Sequence, residues 1–326
     1  MTDTLLSVRG LDVGAQRRRS LQPIVRDVSF EVANGEAVGI VGESGSGKTL
    51  TMLSVMGLLP SPPLRVSGGE IRFAGRDLVP MGERELRRIR GAELAMIYQD
   101  PMTSLNPLMR IGEQIAEAMT AHGVSAPDAR TRTREALARV GIPDPDRTAR
   151  AYPHEFSGGM RQRVMIATAL ALSPRLLIAD EPTTALDVTI QQQILALVRS
   201  LQDEYGMAIV WITHDLGVIA RLVDRVIVMY AGRIVEDAPT KRLFSAPEHP
   251  YTAGLLASLP DPSDRQRTPL AQIPGTPPEP SDVQRGCPFR PRCPQAVDIC
   301  AEEMPPLTDR GGGGAAACWV PREEWT

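Results

Sequence analysis

The chain has 326 residues, 42% hydrophobic and 23% charged, with a formal net charge of −3; that is room for two or three domains around buried cores. The slight negative charge argues against a broad nucleic-acid-binding surface, and no nucleic-acid partner is expected. The most apolar stretch, residues 50–60, falls far short of the roughly 20 residues of a membrane-spanning helix, and nothing at the N-terminus reads as a signal peptide.

Residues 4–41 alternate apolar and polar in short runs broken at Gly14 and at Asn34-Gly35. That pattern predicts an antiparallel β layer, and the apolar run over 36–41 predicts a buried strand. Gly42-Glu43-Ser44-Gly45-Ser46-Gly47-Lys48-Thr49 follows, a complete G-x-x-x-x-G-K-[ST] loop. Backbone N–H groups at its glycines and serines can wrap a polyphosphate that bulkier residues would hold away. Lys48 supplies a point charge for the β- and γ-phosphates, and the Thr49 hydroxyl is placed to ligate Mg²⁺. Residues 50–56 predict a helix whose positive end faces those phosphates. Lys48 and Lys241 are the only lysines; every other basic side chain apart from histidine is arginine.

Downstream, residues 69–75 read as a turn-bounded β segment and 95–98 as a strand ending at Gln99, a residue able to sense Mg²⁺ or an attacking water. Residues 107–172 carry apolar positions at helical spacing, with breaks at Gly123, Pro127, Gly141, Pro143 and Pro145, and predict a mostly helical insert. Within it Ser157-Gly158-Gly159-Met160 offers a helix-capping serine and two glycines that let amides approach an anion. Residues 176–179 predict a strand ending in Asp180-Glu181. Asp180 would lie near the Mg²⁺ shell, and Glu181 would orient or deprotonate a water attacking a γ-phosphate. Asp187 lies just beyond. A strand over 207–212 leads to His214, whose neutral imidazole can hydrogen-bond a γ-phosphate, and a further strand covers 225–229. Strands alternating with helices imply a mainly parallel sheet covered by helices.

Proline then punctuates 260–280, the composition of an extended linker. The tail beyond it holds Cys287, Cys293, Cys300 and Cys318, spaced by 5, 6 and 17 residues. In a reducing cytosol, four thiols suggest a metal centre rather than disulfides. Structural zinc favours tighter pairs, whereas an iron–sulfur cluster with Cys₄ ligation tolerates longer loops. A [4Fe–4S] cluster is the first expectation, with Zn²⁺ and unligated thiols as alternatives.

Taken in order, the phosphate loop, Gln99, Ser157-Gly158-Gly159, Asp180-Glu181, Asp187 and His214 resemble the nucleotide-binding subunits of ATP-binding-cassette transporters over roughly residues 4–245. The resemblance implies an α/β P-loop NTPase fold of the ABC ATPase type. It comprises a RecA-like mixed-sheet core, an antiparallel β layer and a helical subdomain at about 107–172, all within 1–245. It also implies a head-to-tail dimer, in which the phosphate loop of one subunit and Ser157, Gly158, Gly159 and Met160 of the other enclose each ATP.

A narrower resemblance rests on Tyr98-Gln99-Asp100-Pro101, Tyr152-Pro153-His154-Glu155, His249-Pro250-Tyr251 and Gly286-Cys287-Pro288-Phe289. It is to the dipeptide/oligopeptide importer ATPases, and Met160 matches their D-type member. Implied are an ATPase coupled to peptide import, a partner ATPase of F-type, two permease subunits, an extracytoplasmic peptide-binding protein, and a peripheral place on the cytoplasmic face of the cell membrane. Residues 102–106 would touch a permease, and 246–326 would form a C-terminal extension with a metal-binding tail. Related importers carry nickel, opines or glutathione, and cassettes outside transport act on DNA or ribosomes. No Phe, Tyr or Trp precedes Phe30, so Val13 or an arginine of 17–19 is expected to pack on the adenine.

Overall fold

The computed structural model describes residues 3–17, 20–100, 104–183, 186–259, 271–279 and 285–325. The expected permease-contacting loop at 102–106, the arginines at 18 and 19, Thr184 and most of the 260–280 linker lie wholly or partly outside them. In chain order the strands are β1 (Thr4–Arg17), β2 (Ser20–Ala33), β3 (Ala37–Val41), β4 (Leu64–Phe73), β5 (Arg76–Asp77), β6 (Leu94–Ile97) and β7 (Leu176–Asp180). They continue with β8 (Ala208–Thr213), β9 (Arg225–Tyr230), β10 (Arg233–Pro239), β11 (Thr308–Asp309) and β12 (Ala315–Ala316). The chain divides into two compact units: Met1–Asp3, Ala33–Glu36 and Pro80–Val210 form one, and Thr4–Val32, Ala37–Val79 and Trp211–Thr326 the other.

The second unit carries two sheet layers. One is the expected antiparallel layer, in the order β2-β1-β4-β5. Its β1–β4 register sets Leu6 opposite Phe73 and Val8 opposite Ile71, with an irregularity around Asp12. Alternation along these strands turns Leu6, Val8, Ile71 and Phe73 inward, each at most 1% exposed. The other layer is mixed. β3 runs parallel to β9, with Val38 beside Arg225 and Val41 beside Val228, and β9 turns back antiparallel into β10. All five residues of β3 are buried, as a strand covered on both faces requires. The tail then adds β12 antiparallel to β10, with Glu236 opposite Ala316, and β11 beside β12.

The first unit pairs β6 parallel to β7, from Leu94–Leu176 to Ile97–Ala179. The strand expected over 95–98 is shifted by one residue because its pairing ends at Ile97, leaving Tyr98 exposed. The helical insert is present. Ile111–Thr120 buries Ile111, Ile115 and Met119, and Ala126–Arg139 buries Ala129, Thr133 and Leu137. Each set recurs every four residues and so shares one helix face. Ser125 caps the second of these, its hydroxyl accepting from the Asp128 N–H at 3.3 Å.

The helix after the Ser-Gly-Gly motif runs Gly158–Leu170, directly from its Ser157 cap. Gly159, inside this helix, serves its packing. A Cβ on it would lie 2.7 Å from Ile190 Cγ2 on the helix Val188–Tyr205, closer than real Cβ atoms come to a neighbour.

Candidate functional site

β3 delivers the chain into the phosphate loop at Gly42, where φ is +152° and a Cβ would lie 2.2 Å from the Met229 carbonyl oxygen of β9. Only glycine lets the loop leave the sheet this close to its neighbour. The loop closes on Gly47, a left-handed N-cap, and opens the helix Lys48–Met56, which has no acidic residue in its first turn. The positive end of that helix therefore carries no carboxylate to offset it. Lys48 is 5% exposed. Its ammonium donates to the Gly42 carbonyl at 2.7 Å and the Glu43 carbonyl at 3.0 Å. The Ser46 N–H donates to the Glu43 carbonyl at 3.2 Å. Ser44, Gly45 and Thr49 are exposed at the mouth of the loop, where a polyphosphate and its metal would arrive.

In the other unit, buried β7 carries Asp180, 5% exposed, to its end. Glu181 follows at φ +45°, a left-handed conformation that costs of order 1–3 kcal/mol in a non-glycine residue and clusters at functional sites. Its Oε2 accepts from Gln99 Nε2 at 3.0 Å. Two residues 82 positions apart, each singled out from sequence, are thus brought into direct contact. Parallel pairing of β6 with β7 explains it, because both strands end at the same edge.

Ser157 caps its helix as expected, its Oγ accepting from the Met160 N–H at 3.4 Å. Ser157 and Gly158 are exposed while Gly159 and Met160 are half-buried. Asp187 caps the helix Val188–Tyr205, its carboxylate accepting from the Ile190 N–H at 3.0 Å. His214 is exposed just past β8.

Three findings correct or extend these expectations. Val13 has no exposed surface, being packed in β1 opposite Val66, so it offers no face to an adenine ring; Arg17 is exposed. The four cysteines are free thiols, Cys300 buried and the others half-buried. The Cys287 N–H donates to the Cys300 carbonyl at 2.9 Å. Burial first, with the neighbouring cysteines adding to it, pushes the Cys287 and Cys293 thiols up to about 11. The donor set is therefore gathered in one region and is of the right kind for a cluster. Yet among the described residues no three His, Cys, Asp or Glu side chains are arranged to hold a metal ion, so the expected metal centre is not supported by ligand geometry. The buried surroundings favour the neutral thiol.

The third finding escaped sequence reasoning altogether. Glu43, an unspecified position of the loop pattern, is bound by Arg292 and by Tyr251 from the C-terminal region. The traces in the sequence are Tyr251, within His249-Pro250-Tyr251, and an arginine in a Pro-rich, Cys-rich tail, neither of which points to the loop.

Residues 25–184 match the ABC transporter family, and residues 235–300 match the C-terminal region of oligopeptide/dipeptide transporters. The chain is 52% identical to the probable peptide ABC transporter ATP-binding protein y4tR of Sinorhizobium fredii, over 98% of this chain and 96% of that one. The chain belongs to the ABC transporter ATP-binding family. Other relatives in that family include the oligopeptide transport ATP-binding protein OppD of Bacillus subtilis, 50% identical over 93% of this chain and 85% of the relative. OppD of Salmonella typhimurium is 49% identical, over 92% and 89% respectively. Among solved structures, the ABC cassette MJ0796, in a dimeric post-hydrolysis state bound to ADP and Pi, superimposes with a TM-score of 0.64. It is 28% identical and covers 72% of this chain and 98% of its own. The ABC transporter match spans the phosphate loop, Gln99, the Ser-Gly-Gly motif and the acidic pair; the second match spans the segment that carries Tyr251 and Arg292.

Proposed function

We propose that this chain is the ATP-hydrolysing subunit of an importer of dipeptides or oligopeptides, acting as one of two cassettes on a pair of permeases. The buried Lys48 ammonium, held against its own loop's carbonyls on a strand–loop–helix unit, carries the nucleotide assignment. The relatives, a probable peptide ABC transporter ATP-binding protein and an oligopeptide transport ATP-binding protein among them, favour peptide as cargo. In this reading the amides of Gly42, Ser44, Gly45, Ser46 and Gly47, with Lys48, bind the phosphates of ATP, and Thr49, Asp180 and Gln99 face Mg²⁺. When bound, Mg²⁺ neutralises charge developing between the β- and γ-phosphates.

Glu181 acts as the base. It takes a proton from a water whose oxygen attacks the γ-phosphorus; the bond to the β-phosphate oxygen breaks, and ADP and phosphate leave. Its hydrogen bond with Gln99 ties the position of that carboxylate to the loop after β6. His214 hydrogen-bonds the γ-phosphate. Ser157, Gly158, Gly159 and Met160 cap the nucleotide held by a second ATPase subunit, of F-type, in a head-to-tail pair across which Asp187 reports. An extracytoplasmic binding protein supplies the peptide.

Among the described residues no helix is long and apolar enough to cross a membrane. Attachment to the cytoplasmic face of the membrane would then run through the permeases. Residues 1–245 form the nucleotide-binding domain and 246–326 its extension. In this reading the four cysteines of that extension hold a [4Fe–4S] cluster, or Zn²⁺, in the loaded protein. The one support is that the sulfur donors lie in one region, the Cys287 N–H bonding the Cys300 carbonyl at 2.9 Å, and their thiols would have to ionise on loading.

The deciding experiment is peptide-stimulated ATP hydrolysis by the chain assembled with its permeases. Hydrolysis that no peptide or permease alters would reject the transport reading. Iron analysis of anaerobically purified protein, with its visible absorbance, decides the cluster.

A further inference from the structure

The phosphate loop is held from outside at its second residue. Glu43 occupies a position that the loop pattern leaves open, yet each of its polar groups is engaged. Its carbonyl accepts from Lys48 Nζ at 3.0 Å and from the Ser46 N–H at 3.2 Å. Its N–H donates to Tyr251 Oη at 2.9 Å. Its carboxylate accepts from Arg292 twice, Nη1 to Oε2 at 2.7 Å and Nη2 to Oε1 at 3.0 Å. One side of this residue therefore faces the lysine that meets phosphate, and the other faces the C-terminal region.

The anchoring side is built from buried parts. The Arg292 side chain is 5% exposed. Its Nε donates to the Pro274 carbonyl at 2.9 Å, Nη1 also to Tyr230 Oη at 3.3 Å, and Nη2 also to the Ile273 carbonyl at 3.4 Å. A buried guanidinium is tolerated only when its donors are matched in this way. Beneath it, Tyr230, Tyr251 and Phe289 are at most 1% exposed and pack ring against ring at centroid distances of 4.6, 5.3 and 5.4 Å. The Tyr251 hydroxyl and the Arg292 fork thus reach Glu43 from one packed aromatic cluster, which fixes both directions at once.

We infer that Arg292 and Tyr251 are positioning residues for the phosphate loop, setting through Glu43 the place of the Lys48 ammonium and thereby the affinity for ATP. The inference rests on reading residues 42–49 as the ATP site. The two-pronged geometry makes it specific: a lysine at 292 would offer a point charge without the fork, and would not hold the carboxylate in one orientation.

The test compares nucleotide affinity with stability in the full chain. Titration with a fluorescent ATP analogue, steady-state kinetics and melting temperature are measured for Arg292→Gln, Arg292→Lys, Glu43→Gln, Tyr251→Phe and the double variant Glu43→Gln/Arg292→Gln. Arg292→Gln and Arg292→Lys are expected to weaken nucleotide binding about tenfold, equivalent to ~1.4 kcal/mol. KM for ATP should rise in step, while kcat at saturating ATP changes far less. The double variant should bind no worse than the weaker single variant, because the two side chains act as one unit. Tyr251→Phe should weaken binding in the same direction.

A tether that merely pins the tail would lower the melting temperature and leave affinity untouched; that result in Arg292→Gln overturns the inference. Should Arg292→Gln fail to fold, Glu43→Gln carries the test, since it keeps the backbone groups of the loop, and wild-type affinity in it is equally decisive. Lys48→Ala separates the two levels. Normal ATP binding in Lys48→Ala rejects the site itself, whereas lost binding there with normal binding in Arg292→Gln and Glu43→Gln rejects only the positioning role.

Discussion

The phosphate loop and the acidic turn after β7 are made in opposite ways. In the loop, Lys48 is 5% exposed, two carbonyls of the same loop hold its ammonium, and an ion pair reaches in from a residue 249 positions away. At the acidic turn, Glu181 is half-buried, its backbone is held at φ +45°, and its carboxylate meets Gln99, itself exposed. A group that binds a polyanion gains from being fixed before the ligand arrives, because no reorganisation then opposes binding. A group that moves a proton needs access to water and a partner able to let go. The first region is built as a cradle, the second as a working part.

The sharpest way to break this contrast is Glu181→Gln. Phosphate release should fall by about 10³-fold, within the range for a lost general base, while titration shows ATP binding retained. Undiminished turnover would remove Glu181 from the reaction. Lys48→Ala should do the reverse, weakening ATP binding about 100-fold, or ~2.7 kcal/mol, by equilibrium titration. If both variants failed in the same step, the two regions would not be functionally distinct.

A third expectation concerns two buried titratable groups, Glu236 and His249. Glu236 of β10 is 1% exposed and accepts from the Glu248 and His249 N–H groups at 2.8 and 3.0 Å. Burial nevertheless pushes its carboxyl up to about 7, and burial together with the Arg310 charge pushes His249 down to about 3. The folded chain keeps the Glu236 proton longer than the unfolded chain does. Its contribution to stability is therefore complete below about 4.5 and is lost as pH rises to about 7. His249 acts oppositely: the unfolded chain takes up its proton as pH falls below 6.5, so stability drops there. Between 4.5 and 6.5 the two slopes oppose. Melting curves across pH 5 to 8 should show wild type losing up to about 3 kcal/mol relative to Glu236→Gln as pH rises. Parallel curves would refute the shifted carboxyl.

The smallest effect is expected at Asp187. Asp187→Ala should cost about 1 kcal/mol of stability by loss of a helix cap, measured by denaturant unfolding. Asp187→Asn, which can still cap, should restore it. Hydrolysis that remains impaired in Asp187→Asn would separate a signalling role from the cap.

Legibility followed the range of the interaction concerned. The phosphate loop was readable because its eight residues are contiguous and their types are dictated by local backbone geometry. The acidic pair and Gln99 were readable because each ends an apolar run, and two parallel strands bring their ends together. The helical insert was readable from spacing, and the start of Gly158–Leu170 from its capping Ser157; that Gly159 faces Ile190 on the next helix was not.

By itself the sequence determined the nucleotide chemistry, the alternation of strands and helices as far as β9, and the presence of four thiols in one tail. Only the tertiary structure decided that Val13 lies in the core, that β12 extends the sheet at β10, and that Arg292 and Tyr251 close on Glu43. The physical reason is distance along the chain. Periodicity and motifs record what neighbours in sequence must do, whereas a salt bridge or a packed ring is decided by which distant surfaces fold together, and no local pattern encodes that choice.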